Sequence, residues 1–202
     1  SLDGMGQSTP VGALNVDTTG ALTFNDGVAA SSIALDGAAD VDLATGSVTL
    51  DTSAGNGVVT FATAGNVDGA QDLTITAGSG AVNLSAIGAG TAVGAFDLDS
   101  TGTTTVNGNI SAGSIAMDGA TDVDLATGAI TLSTSAANGA ITLTGGAVDG
   151  AQDLTITAGS GAVSLDGMGQ STPVGALNVD TTGALTFNDG VAASSIALDG
   201  AA

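Results

Sequence analysis

Aspartate is the only side chain in this 202-residue sequence that can carry charge near neutral pH. All 20 acidic residues are Asp, and Lys, Arg, His, Cys, Trp and Tyr are absent. Any functional site must therefore be built from carboxylates, hydroxyls and backbone carbonyls. Such oxygens suit hard cations like Ca²⁺, and paired carboxylates are the machinery of glycoside hydrolysis. Three pairs stand at i, i+2: Asp40/Asp42, Asp97/Asp99 and Asp122/Asp124. They flank Val41, Leu98 and Val123, so on a strand both members point outward, about 6.6 Å apart. Polysaccharide-cleaving β-helices surround their acids with His, Lys or Arg, and none exists here. The pairs are expected to be solvated surface charge, and no enzyme is expected.

A second pattern points to metal. If the strands beginning at Leu14, Ile33 and Val48 stack in register, Asp17, Asp36 and Asp51 form a column at the strand ends. Asp99 and Asp118 continue it in the next repeat, followed by Ser133, and Asp180 and Asp199 begin it again. Neighbouring carboxylates about 5 Å apart repel by roughly 1 kcal/mol per pair in water. Bound Ca²⁺ would remove that cost, which makes Asp17, Asp36, Asp51, Asp99 and Asp118 the metal candidates and Ca²⁺ the one cofactor to consider. The competing reading is that Asp ends each strand because it is a good turn residue. The calcium nonapeptide GGxGxDxUx is not matched.

The missing residue types exclude other chemistry. Without His, Cys, Lys, Arg or Tyr there is no Ser-His or Cys-His nucleophile pair, no Schiff base and no arginine clamp on phosphate. Zinc and haem lose their usual ligands. A chain of formal charge −20 with no cationic side chain cannot neutralise nucleic acid phosphates. No run approaches the ~20 apolar residues of a membrane helix, so no membrane insertion by this segment is expected.

The acids sit in a strict rhythm. Ser1–Ala39 recurs unchanged as Ser164–Ala202, an offset of 163. The segment DVDLATGSVTLDTSAGNGVVTF from Asp40 returns from Asp122 as DVDLATGAITLSTSAANGAITL, an offset of 82. After a one-residue deletion near Ala64, VDGAQDLTITAGSGAV at Val67 returns at Val148, an offset of 81. The repeat unit is thus about 81 residues, and the longer offset is two diverged copies of it. Residues 1–202 are expected to be one continuous segment of a longer array.

Each unit contains eight short signals with apolar residues at i and i+2. In the first they are Leu14/Val16, Leu22/Phe24, Ile33/Leu35, Val41/Leu43, Val48/Leu50, Val59/Phe61, Leu73/Ile75 and Val82/Leu84. Period-two alternation makes these strands with one buried face. The links are rich in Gly, Asn, Asp and Ser, which supply tight turns. With 43% hydrophobic residues the chain has more to bury than a disordered tract. Taking every second strand as one circuit gives about 20 residues per coil and about ten coils of a parallel β-helix. A β-sandwich array is the rival, though sandwiches usually carry aromatic anchors and longer strands.

Runs such as GALTFNDG, GAVNLSAIG, DLTITAGSGAV and GSVTLDT resemble the repeats of filamentous-haemagglutinin-like proteins, giant surface adhesins of Gram-negative bacteria. The resemblance covers the whole chain as texture rather than as one diagnostic motif. It implies a right-handed parallel β-helix, secretion across the outer membrane, and a place in a stalk or filament at the bacterial cell surface. The expected function is a structural repeat segment, with self-association end to end or laterally and a receptor that the sequence does not name. The alternative is a Ca²⁺- or carbohydrate-binding module of a surface layer or sheath.

Overall fold

The computed structural model describes residues 1–61 and 65–200; the one-residue length difference near Ala64 lies outside them. Among these residues there are 21 strands and no helix. Val, Ile, Leu and Thr at alternate positions favour extended backbone, and Gly breaks every window long enough for a helix. The strands are short because the turns return every few residues. Every strand pairing among them is parallel. That rules out the antiparallel sandwich and makes the chain a parallel β-solenoid.

Three ladders run along it. The first passes through Leu14, Ile33, Val59, Val82, Thr104, Val123, Val148, Met168 and Val191. The second passes through Leu22, Val41, Val67, Ile87, Ile110, Leu132, Ile156, Val179 and Leu198. The third passes through Met5, Val28, Leu50, Ile75, Leu98, Met117, Leu143, Leu165 and Phe187. Eight steps lead from Leu14 to Val191, so the solenoid has about eight turns of about 22 residues per turn.

The expected circuit was too short, and the expected ten coils are too many. Each circuit has three strand positions, not two. The extra positions hold one inward side chain where the others hold two. They are Val28, Val67 and Ile87 in one copy and Ile110, Val148 and Met168 in the next; Asn66–Asp68 buries only Val67, and Ile87 and Met168 make isolated bridges. A lone apolar residue has no period, so these positions do not announce themselves in the sequence. Counting them raises the strand positions per repeat unit from eight to eleven.

The inward residues form a single apolar column from Leu22 to Val179. Phe24, Phe61 and Phe96 lie fully inside it. In Ala193–Asp199 the exposure is higher, 50% at Ile196 and 48% at Leu198.

The corners pack backbone against backbone. A Cβ built on Gly161 would stand 2.0 Å from the carbonyl oxygen of Gly139, and one on Gly183 would stand 2.4 Å from that of Gly161. Gly57, Gly80 and Gly102 repeat the arrangement earlier in the chain. These glycines are there because a neighbouring turn occupies the space of a side chain. Their carbonyls are capped by buried hydroxyls: Thr134 Oγ1 donates to Gly139 O at 2.7 Å, and Thr181 Oγ1 to Gly161 O at 2.7 Å. Thr52 and Ser100 do the same for Gly57 and Gly80.

Two expected outcomes follow from this packing. Gly161→Ala pushes a methyl into a backbone carbonyl, and overpacking of this kind costs about 1–3 kcal/mol, read as a lower denaturant midpoint. Thr104 faces the core between Val82 and Val123, and its buried Oγ1 has no hydrogen-bond partner. Thr104→Val removes that orphan and is expected to stabilise the chain by about 1 kcal/mol, a melting temperature about 2–4 °C higher.

Candidate functional site

The acids that could do chemistry lie at strand ends and turns. The register decides which of them meet. Asp17 stands opposite Asp36 on the first ladder, and Asp180 opposite Asp199 on the second. Asp99 and Asp118 follow directly after the paired residues Leu98 and Met117 on the third. Asp51 does not join them. It lies opposite Ala29 and Thr76, and its Oδ1 accepts hydrogen bonds from the amide and hydroxyl of Ser53 at 2.8 and 2.6 Å. The expected single column is thus corrected to separate dyads on separate faces. Ile33 is followed on its ladder by Val59, not Val48, because a third strand lies in each circuit.

The outward pairs are where the alternation puts them. Val41, Leu98 and Val123 are buried between Asp40/Asp42, Asp97/Asp99 and Asp122/Asp124. Two further dyads appear that the spacing did not single out, Asp42 with Asp68 and Asp124 with Asp149. Among the described residues no three acidic side chains come close enough to hold a metal ion together. A dyad offers Ca²⁺ the oxygens of two carboxylates, short of the six to eight it takes. Asp17/Asp36, Asp99/Asp118 and Asp180/Asp199 would need water or a second molecule to complete a shell.

The most structured acids were missed. Asp68 Oδ1 accepts from the amides of Gly90 and Thr91 on the next turn, at 2.8 and 3.0 Å. Asp149, only 4% exposed, accepts from Ser171 and Thr172 at 2.8 and 2.9 Å. Four residues on, Asp72 accepts from Ala95 at 2.8 Å and Asp153 from Ala176 at 2.7 Å. Each carboxylate ties its turn to the one beyond, a charge-assisted bond stronger than a neutral one. The signal was available: VDGAQD opens a stretch that is intact in both copies, at Val67 and Val148, while the segments on either side of that stretch vary.

A shallow cleft of about 390 Å³ lies beside Asp122, Asp166 and Asp189. Asp166 Oδ2 already accepts from the Gly145 amide at 2.8 Å and Asp189 Oδ1 from the Gly190 amide at 2.7 Å. These carboxylates serve the backbone of the turns. No helix among the described residues is long and apolar enough to cross a membrane. Set against protein families, curated proteins and solved structures, the chain matches none.

Crowding of like charge shows in two carboxyls. Asp97 is exposed as a residue, yet partial burial of its carboxyl raises its pKa above 3.8, and repulsion from Asp118 and Asp99 adds to the rise. Asp124 is raised by the same combination, burial first, then repulsion from Asp122 and Asp149. An acid whose folded pKa is raised binds its proton more tightly folded than unfolded. Its charge therefore imposes no penalty below its ordinary pKa, and the penalty grows as pH climbs through the raised folded value. Asp97→Asn and Asp124→Asn are each expected to raise the melting temperature at pH 7 by about 1–2 °C. At pH 3 they should leave it unchanged, which a pair of thermal scans would check.

Proposed function

We propose that this chain is a structural stalk: a repeat segment of a secreted filament at a bacterial cell surface, non-enzymatic, with adhesion located elsewhere. The single observation that supports this most is the unbroken stacking of parallel turns. Each turn is bonded to the next through backbone ladders and an apolar column, and once in each copy the VDGAQD carboxylates add their own bonds. Force along the axis then acts on many bonds in parallel at every turn. Length is set by the number of repeats, and the −20 charge keeps neighbouring rods apart. The likeness of its repeats to those of filamentous-haemagglutinin-like adhesins favours secretion and an extracellular place.

A second reading is favoured by the in-register dyads Asp17–Asp36 and Asp180–Asp199. Divalent cations could bridge them to acids of a neighbouring rod, giving a sheath or surface layer. One experiment addresses both readings. Antibodies raised against this segment are applied to intact source cells, with calcium or with a chelator, and viewed by electron microscopy. Label spaced along single filaments in both conditions is the expected outcome. Intact cells that stay unlabelled while sectioned cells label inside overturn the stalk, and bundles that form only with calcium select the second reading.

A further inference from the structure

The repeat in the sequence and the turn of the solenoid do not share a period. Each copy spans eleven strand positions, and a turn takes three. A copy is therefore three and two-thirds turns long. The consequence is visible in one strand that occurs three times. Val11 pairs with Ala30 and Leu14 with Ile33 on the first ladder. In the next copy Val93 pairs with Ala112 and Phe96 with Ile115 on the third ladder. In the one after, Val174 pairs with Ala193 and Leu177 with Ile196 on the second. The same local register is built on three different faces.

The irregularities move with it. The register slip opposite Asp99 and Ser100, where the partners skip from Thr76 to Gly78, lies on the third ladder. Its counterpart, between Thr157 and Gly159, lies on the second. The turn at 53–56 lies at the corner between the third ladder at Leu50 and the first at Val59, and its counterpart at 135–138 lies between the second at Leu132 and the third at Ile141. A register slip bends the strand that carries it, so a slip on one side tilts the turns above it toward one direction. A copy of whole turns would put every such tilt on one side and curve the rod.

We infer that this repeat rotates successive copies by a third of a circle, so that three copies, eleven turns, cancel one another's tilt and keep the array straight. The same outward surface is thereby offered in three directions in turn, and no lateral face of the rod is privileged. This purpose rests on the stalk reading; the rotation itself does not. Stalk and rotation are also tested separately, since the first concerns where filaments stand and the second concerns distances within the chain.

The chain has no cysteine, so introduced thiols take spin labels at chosen sites only. Asp17, Asp99 and Asp180 are equivalent, exposed positions in the three copies. Asp17→Cys, Asp99→Cys and Asp180→Cys are combined in pairs and the three distances are measured by pulsed electron–electron resonance. Rotation makes the long distance, 17 to 180, shorter than the sum of the two short ones. With a rise of about 18 Å per copy and faces roughly 10–20 Å apart, the shortfall is about a tenth to a quarter. A long distance equal to that sum places the three sites on one line and overturns the inference. The set Asp36, Asp118 and Asp199, one turn further on, repeats the test should any first variant fold poorly.

Discussion

The whole structure depends on one requirement: each turn of chain must satisfy the backbone of the turn before it and the turn after it. Parallel strands about 4.8 Å apart leave no room for choice in that direction. An unpaired buried amide or carbonyl is costly, so stacking must continue through the corners as well as the strands. Glycine stands where two corners approach too closely for a side chain, as at Gly139 and Gly161. Thr134 and Thr181 bring a hydroxyl to the carbonyl that the tight corner leaves over. Small residues are thus the material of the corners rather than an absence of information.

Charge is fitted to the same requirement. With no cationic side chain in the sequence, carboxylates find partners in backbone amides. Asp68 and Asp149 each receive two amides of the following turn, so the acid becomes a clasp between turns. Carboxylates that face one another across turns, such as Asp124 and Asp149, work against the stack. The raised pKa of Asp97 and Asp124 marks where that cost concentrates. Like charge over such a surface is repulsive, and salt screens that repulsion over a distance of about 10 Å.

How much of this could be read from the sequence varied with the kind of signal. Paired apolar residues such as Leu73/Ile75 and Val163/Leu165 announced their strands, and both are buried as the alternation requires. Thr104/Val106, the counterpart of Leu22/Phe24 in the next copy, forms a strand on the first ladder although Thr104 is polar. Val67, Ile87, Val148 and Met168 were missed, because one inward residue carries no alternation. That omission shortened the circuit by a strand and misplaced Asp51. The candidate site suffered most, since a column of acids is a statement about which turn lies over which.

Alternation, glycine spacing and the sequence repeat are legible along the chain, and from them follow the all-β character and the inward residues of the paired strands, with a parallel solenoid expected ahead of its sandwich rival. Whether a turn closes after two strands or three is not local. It depends on how the chain bends at corners whose sequences resemble one another, and on whether a single Val or Met suffices to fill the axis there. Only the stacked structure answers that, because the closure angle is set by contact with the turn beneath. From that one decision come the number of turns, the partners of each carboxylate and the passage of each repeat to a new face.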